Sequence, residues 1–267
     1  MSAFDAICHS FSTIAIGGFS THDASLGYFN SPLINLICVV FLWIAALNFA
    51  LHFAAASGRT LKGYWKDPEF KAFFFIQFVL IAVCFLVLVD HSVFADAETA
   101  FDQALFQAVS ISTTAGFATT DFSAWPVFLP ILLIFSSFIG GCAGSTGGGL
   151  KVIRIFLLYL QGKREINRLI HPKAVYAVKL GERAMPERVI EAVWGFFAAY
   201  AIIFVFIMLA LLGTGMDDIT AFTATAATLN NLGPGLGDVA GTYASISDSG
   251  KWILVLAMLF GRLEVFS

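Results

Sequence analysis

The stretch "FDQALFQAVSISTTAGFATT", residues 101–120, decides the fold. It opens with an acidic residue, continues with many Ala, Ser and Thr residues, and then reaches Gly116. A helix of about 12 residues is only about 18 Å long, which is too short to cross a hydrocarbon core of about 30 Å. If the chain lies in a membrane, this segment must therefore enter and leave on the same side.

Two further segments repeat this pattern: "FDAICHSFSTIAIGGFST", residues 4–21, and "DDITAFTATAATLNNLGPGLG", residues 217–237. Each segment contains a glycine-bearing tetrad that aligns with the other two. The three tetrads are Ile16-Gly17-Gly18-Phe19, Thr114-Ala115-Gly116-Phe117 and Asn231-Leu232-Gly233-Pro234. A polar loop and a long apolar segment follow each tetrad. The sequence therefore predicts a repeated unit of span, half-helix, glycine turn and span.

The composition places the chain in a membrane. Of its 267 residues, 58% are hydrophobic and only 12% are charged, which is too little charge to cover a soluble domain of this size. Four segments, residues 33–56, 72–89, 124–150 and 192–216, contain no Asp, Glu, Lys or Arg. Each of them approaches or exceeds the roughly 20 residues that a helical span needs. The predicted fold class is an all-α, multi-pass integral membrane protein.

The basic residues set the predicted orientation. Except for Lys251 and Arg262, every Lys and Arg lies in residues 57–71 or 151–188. By the positive-inside rule these two loops face the cytoplasm. The loops on the opposite side carry Asp and Glu instead, so the three half-helices are predicted to enter from the outer face.

The direction of the half-helices predicts the sign of the ligand. Asp5, Asp102 and Asp218 stand near their N-termini, where an acid complements the helix dipole. The C-termini, which carry partial negative charge, then point into the membrane and favour a cation. Glycine turns allow consecutive backbone carbonyls to replace a cation's hydration shell. The alternative for each single tetrad is an ordinary turn at a helix end.

A second glycine-rich stretch, "IGGCAGSTGGGLK", residues 139–151, interrupts an apolar segment. It is not a phosphate-binding loop, because Leu150 separates Gly149 from Lys151 and no Ser or Thr follows the lysine. A flexible intramembrane loop is one interpretation. The other is a helix-crossing surface with Gly140, Gly144 and Gly148 at a spacing of four.

Arg262 is a charge inside the last apolar segment. Intramembrane charges are costly and usually face a cavity or a partner. The alternatives are pairing with Glu264 or snorkelling towards the cytoplasmic end of the span.

The segments "STIAIGGFSTHDAS", "STTAGFATTDF", "GGCAGSTGGGLKVIRI" and "LNNLGPGLG" resemble the TrkH pore-forming subunits of the Trk/Ktr potassium-uptake superfamily. The resemblance runs along essentially the whole chain. It implies one pore built from pseudo-repeats. Residues 1–56 would be the second repeat, 57–71 a cytoplasmic loop, 72–160 the third repeat, 161–188 another loop, and 189–267 a truncated fourth repeat. The family's first repeat has no counterpart here.

The same resemblance implies the site residues. Backbone carbonyls that face potassium would come from Ile16, Gly17, Gly18, Thr114, Ala115, Gly116, Asn231, Leu232 and Gly233. The gate would comprise Gly140, Gly141, Gly144, Ser145, Thr146, Gly147, Gly148, Gly149 and Arg262, with Arg262 as an electrostatic barrier near the glycine-rich stretch.

The resemblance also implies the setting and the partners. These are the bacterial inner membrane and its lipid, a TrkA-type cytosolic nucleotide-binding regulatory subunit, and a homodimer. No organic cofactor, disulfide or nucleic-acid partner is expected, since no catalytic or metal-ligand cluster and no separate basic domain is evident. The chain is therefore predicted not to be an enzyme.

Two other functions remain open. An alternating-access symporter, carrying potassium with protons or sodium, would be expected to contain inverted repeats. All three half-helices enter from the acidic side, which counts against it. A membrane enzyme or a purely structural segment would tolerate replacement of the tetrad glycines.

Overall fold

A computed structural model describes residues 1–172, 174, 176–181 and 183–262. Apart from loops and a short hairpin, the described chain is helical, which confirms the all-α class. The helices are α1 (Ala3–Ile14), α2 (Pro32–Ala46), α3 (Phe49–Gly58), α4 (Lys62–Lys66), α5 (Pro68–Asp90), α6 (Ala97–Ser112), α7 (Phe128–Ser137), α8 (Val152–Ile170), α9 (Glu187–Leu212), α10 (Asp218–Leu229) and α11 (Asp248–Arg262). The hairpin pairs β1 (Lys179–Leu180) with β2 (Arg183–Ala184).

The three predicted half-helices are α1, α6 and α10, with 12, 16 and 12 residues. Each begins where a side-chain oxygen accepts a hydrogen bond from a free amide of the first turn. The capping residues are Ser2, which accepts from the Asp5 N–H, Asp96, which accepts from Thr99, and Asp217, which accepts from Thr220. These caps explain why the helices start where they do.

The expectation that Asp102 stands near the start of its helix is wrong. Since Asp96 caps α6, the helix begins at Ala97 and Asp102 lies in its second turn. There the Asp102 carboxylate accepts a 2.8 Å hydrogen bond from the Asn35 amide of α2. Asp102 therefore ties a half-helix to a neighbouring helix, and the acid that complements the dipole is Asp96.

Long apolar helices surround the half-helices. Among the described residues, α5 and α9 are each long and apolar enough to cross a membrane, as predicted for residues 72–89 and 192–216. Their outer faces expose large apolar side chains such as Phe75, Phe78 and Phe206. By contrast, every residue from 107 to 112 in α6 and from 223 to 229 in α10 is buried. The ends of α6 and α10 therefore lie in the interior, whereas α1 is partly exposed, with Ile14 44% exposed.

The apolar segment 33–56 is broken, although the sequence predicts one continuous span. It forms α2 and α3, which meet at an angle of 92°. Leu47 is extended, and the Asn48 side chain accepts a 2.8 Å hydrogen bond from the Ala50 N–H, so it caps α3. Breaking a helix in a membrane frees backbone groups that need partners. The glycine-rich stretch supplies them, as the next subsection describes.

We expect Asn48→Ala to destabilise this bend by about 1 kcal/mol, because it removes the cap of α3. Asn48→Ser is the matched control, since serine also caps helices well. The measurement is thermal unfolding of the purified variants in detergent. Equal unfolding temperatures for the two variants would show that the Asn48 cap does not hold the bend.

Candidate functional site

The three tetrads have the same backbone hydrogen bonds. In each, the first residue's N–H bonds the carbonyl three residues earlier, and the second residue's N–H bonds the carbonyl five residues earlier. The first set is Ile16 to Thr13, Thr114 to Ile111 and Asn231 to Thr228, at 3.0–3.1 Å. The second set is Gly17 to Ser12, Ala115 to Ser110 and Leu232 to Ala227, at 2.7–2.8 Å. This is the Schellman ending of a helix, built three times.

The tetrads depart from an ordinary helix ending in their left-handed residues. Glycine is the usual left-handed residue at this position. Here it is Ile16, Thr114 or Asn231, with φ of 51°, 68° and 55°. Positive φ is a genuine outlier for a β-branched residue, and such outliers concentrate at functional sites. Asparagine is tolerated in this conformation, but the simple-turn interpretation does not explain the strained β-branched residues Ile16 and Thr114.

The third residue of each tetrad is glycine, also with positive φ, at 67° in Gly18, 80° in Gly116 and 104° in Gly233. The second residue of each tetrad has no positive φ. Alternation of positive and negative φ turns successive carbonyls in a common direction. The backbone of each tetrad therefore suits a row of carbonyl ligands.

The tetrads lie side by side in chain order. A Cβ added to Gly18 would stand 2.0 Å from the Ala115 carbonyl oxygen, and one on Gly116 would stand 2.1 Å from the Leu232 oxygen. Each glycine is therefore required by the close approach of the next tetrad. A Cβ on Gly233 would meet no described atom within 4 Å. The third tetrad thus borders open space where the first two border a neighbour.

An open cavity of about 730 Å³ lies against the tetrads and is lined by Gly18, Gly116 and Gly233. Asp23 and Asp121 also line it. The ends of α1, α6 and α10 converge beneath the tetrads, so their partial negative charges add. Both features favour a cation over an anion at this site.

The caps of the half-helices predict how acid affects the protein. Hydrogen bonds from Thr99, the strongest from its backbone N–H, hold the pKa of Asp96 below its ordinary value of 3.8. Hydrogen bonds from the Thr220 side chain and backbone do the same to the pKa of Asp217. Because the pKa is lower in the folded state, the stabilisation is complete above the ordinary pKa and is lost as the pH falls through the folded value.

We therefore expect the unfolding temperature to fall between about pH 5 and about pH 3, partly through these two carboxyl groups. The double variant Asp96→Asn, Asp217→Asn should lose part of this dependence yet retain its stability at neutral pH, since asparagine also caps helices. The measurement is thermal unfolding across the pH series. An identical pH dependence in parent and variant would contradict the assignment.

Residues 140–149, the glycine loop, lie against the ends of all three half-helices. The Thr146 hydroxyl donates to the Ile14 carbonyl at 3.0 Å, and the Gly148 N–H donates to the Thr114 hydroxyl oxygen at 2.7 Å. A Cβ on Gly148 would stand 1.9 Å from the Asn230 carbonyl oxygen. The loop therefore closes the space directly beneath the tetrads.

The glycine loop also packs into the bend between α2 and α3. The Cys142 N–H donates to the Ala46 carbonyl at 2.8 Å, and the Phe49 N–H donates to the Gly144 carbonyl at 3.1 Å. These bonds satisfy backbone groups that the bend frees. The helix-crossing interpretation of Gly140, Gly144 and Gly148 is wrong, because this stretch is not helical and Gly140 and Gly144 have positive φ.

Two basic residues reach the glycine loop. The Arg262 guanidinium donates to the Thr146 carbonyl at 3.1 Å, and the Lys151 ammonium donates to the Gly147 carbonyl. Arg262 therefore lies beside the glycine loop, which is the location that the family resemblance implies. The alternative partner, Glu264, lies outside the described residues.

Polar residues that the sequence does not single out lie behind the third tetrad. The Tyr200 hydroxyl of α9 donates to the Asn230 side-chain oxygen at 2.6 Å, and the Asn230 amide donates to the Ser137 hydroxyl at 2.9 Å. Asn230 is fully buried directly before the tetrad. In the sequence, the only sign of this role is the side-chain amide of Asn230 next to a glycine turn. Its hydrogen-bond partners, Tyr200 and Ser137, lie 30 and 93 residues away along the chain.

Within the described ranges, no group of three or more His, Cys, Asp or Glu side chains could hold a metal ion. All four cysteines are free thiols.

The fold and the tetrads define a class of helical membrane proteins in which re-entrant half-helices end in glycine-bearing turns that lie side by side. The chain belongs to the TrkH family, whose model, described as a cation transport protein, matches residues 1–267. The resemblance seen in the sequence is confirmed. The family and its named members are transporters, which agrees with the prediction that the chain is not an enzyme.

Relatives and a solved structure extend over the whole chain. The "Trk system potassium uptake protein TrkH" of Vibrio parahaemolyticus is 66% identical over 269 residues, covering 100% of this chain and 56% of the relative. The Escherichia coli K12 protein of the same name is 62% identical over 267 residues, covering 100% and 55%. The crystal structure of the potassium transporter TrkH from Vibrio parahaemolyticus matches with a TM-score of 0.96 at 66% identity, covering 100% of this chain and 57% of that one. The chain therefore spans little more than half the length of these relatives.

Proposed function

We propose that the chain forms three parts of a potassium filter and the gate beneath it, within a protein that takes up potassium. The observation that carries this proposal is the threefold repetition of one backbone conformation, with a strained β-branched residue in two of the three copies. Three tetrads with the same hydrogen bonds and the same φ pattern lie side by side where three helix C-termini meet. Ordinary turns would need neither the strain nor the close approach.

The proposed ligands are the backbone carbonyls of Ile16, Gly17, Thr114, Ala115, Asn231 and Leu232. Gly18, Gly116 and Gly233 complete the turns, and Gly18 and Gly116 also let neighbouring tetrads approach each other. A potassium ion sheds its water into these carbonyls, and the converging helix ends stabilise the bare charge. The cavity above, with Asp23 and Asp121, raises the local cation concentration.

Three tetrads leave one side of the filter open beside Gly233. We propose that a further filter segment fills that side. It would come from a part of the protein that corresponds to the extra length of the relatives. The repeat boundaries predicted at residues 56, 71, 160 and 188 belong to this proposal.

The glycine loop is the proposed gate. In the observed position it lies under the filter and is tied to two of the half-helix ends by hydrogen bonds from Thr146 and Gly148. Opening requires that these bonds break and the loop move aside, which its glycines permit. Arg262 adds a positive charge at the same level and opposes cations while the loop is closed.

The remaining parts of the proposal come from the family. They are the bacterial inner membrane as location, a homodimer, and a TrkA-type nucleotide-binding subunit that contacts the basic cytoplasmic loops and moves the gate. A symporter that carries potassium with protons or sodium is the second candidate. The common entry side of all three half-helices favours the channel-like mechanism over alternating access.

The test is uptake of labelled rubidium by cells that lack their own potassium transport. The cells express the completed protein, defined here as the Vibrio parahaemolyticus relative with its matching segment replaced by this chain. We expect rubidium uptake that potassium inhibits and sodium does not. Cells that express this chain alone are the control, and we expect little uptake there because the filter is open on one side. No uptake by the completed protein, at wild-type levels in the membrane, would overturn the proposal.

A further inference from the structure

Glu69 is a buried acid that none of the contacts above explains. It is the second residue of α5 and only 7% exposed. Its position after Asp67 and Pro68 is typical of the first turn of a helix, where an acid usually complements the dipole of its own helix. Such an acid would normally lie in solvent, so its burial needs another explanation.

The Glu69 carboxylate contacts both sides of the gate instead. One oxygen, Oε1, accepts a 2.7 Å hydrogen bond from the Ala143 N–H within the glycine loop. The same oxygen accepts a 3.1 Å hydrogen bond from the Ile153 N–H in the first turn of α8. The two amides flank the segment 144–152. A single side chain on α5 therefore holds the two ends of that segment together.

The first turn of α5 does not compete for this carboxylate. The Asp67 side chain already accepts the Phe70 N–H at 2.8 Å, and Pro68 has no N–H to offer. A buried carboxylate is costly unless it is hydrogen-bonded and compensated. The Ala143 and Ile153 amides supply the hydrogen bonds, and the buried Lys151 ammonium lies near enough to attract the charge.

We propose that Glu69 is a positioning residue that anchors the glycine loop in its closed position beneath the filter. With the carboxylate in place, Ala143 and Ile153 are held close together on either side of the segment 144–152, and Thr146 and Gly148 contact the half-helix ends. Without it, the Ala143 and Ile153 amides lose their acceptor, and the loop moves away from the filter. This inference rests on the proposed gating role of the glycine loop.

The test compares Glu69→Ala and Glu69→Gln with the parent in the completed protein. Glutamine keeps the size and one carbonyl acceptor but loses the charge, so it preserves the fold if alanine does not. Glu98→Gln is the matched control, because Glu98 is an exposed acid in the first turn of α6. The first measurement is hydrogen–deuterium exchange of peptides that cover residues 139–155, in lipid nanodiscs.

We expect exchange at the Ala143 and Ile153 amides to accelerate about tenfold or more in Glu69→Ala, as for the loss of charge-assisted hydrogen bonds. Glu69→Gln should show a smaller acceleration, and Glu98→Gln none. The second measurement is rubidium uptake in cells without the cytosolic partner, which we expect to rise several-fold in Glu69→Ala.

The two measurements separate this inference from the proposed function. Exchange does not depend on transport, so unchanged exchange in both Glu69 variants overturns the anchor even if rubidium uptake is normal. Accelerated exchange without a rise in uptake overturns the gating role of the anchor when the parent transports rubidium. Absence of uptake by the parent overturns the proposed function instead.

Discussion

Replacing Gly116 with serine should lower the preference of the completed protein for rubidium over sodium by about tenfold or more, which corresponds to about 1.4 kcal/mol of lost discrimination. Gly116 has φ of 80°, and a Cβ there would stand 2.1 Å from the Leu232 carbonyl oxygen and 3.0 Å from Pro234. Because both neighbours belong to the next tetrad, the side chain must push two filter segments apart. A wider ring of carbonyls no longer replaces the hydration shell of one ion better than that of another.

The measurement is uptake of labelled rubidium and sodium in competition. Gly195→Ser is the matched control, because Gly195 lies in α9 with no atom within 4 Å of an added Cβ and without positive φ. We expect the control to transport like the parent. If Gly116→Ser keeps the parent's ion preference at a normal level in the membrane, the tetrads are only turns and the ion path lies elsewhere.

Replacing Gly148 with alanine should allow rubidium uptake without the cytosolic partner, several-fold above the parent. An added Cβ would stand 1.9 Å from the Asn230 carbonyl oxygen. The Asn230 side chain is fixed by Tyr200 and Ser137, and the end of α10 is buried. The glycine loop is not helical and six of its ten residues are glycine, so we expect the loop rather than the helix end to move.

The measurement is rubidium uptake with and without the partner, together with the rubidium-to-sodium preference. Gly63→Ala in α4 is the matched control, since nothing lies within 4 Å of its added Cβ. A loss of ion preference in Gly148→Ala would show that the helix end yielded rather than the loop. Uptake that still requires the partner would contradict a gate at this position.

Local patterns made most of the fold predictable. The half-helices follow from their short length between an acid-rich start and a glycine, and the spans follow from uncharged runs. The tetrads could be aligned because the same three-part unit recurs. These properties depend on residues close together in the chain, so the sequence contains them directly.

The features that were missed depend on distant partners. The break after Ala46 is stabilised by the Gly144 carbonyl and the Cys142 N–H, which lie about a hundred residues further along the chain. Asp96 and Asp102 both look like residues that could begin α6, and the sequence alone does not show which of them caps the helix. From the sequence, Glu69 resembles an ordinary acid in the first turn of a helix. Its hydrogen bonds with Ala143 and Ile153 appear only in the tertiary structure.

The sequence alone determined that this protein is a helical membrane protein of the TrkH family, with three re-entrant half-helices that each end in a glycine-bearing tetrad. Hydrophobic length, charge distribution and repeated glycines suffice for that, because each acts within one segment. Only the tertiary structure decided that Gly18 and Gly116 make room for the neighbouring tetrads, that the glycine loop lies against the half-helix ends, and that Glu69 accepts hydrogen bonds from both Ala143 and Ile153. Those relations depend on close approach of backbone atoms from segments far apart in the chain, which arises only when the segments pack together.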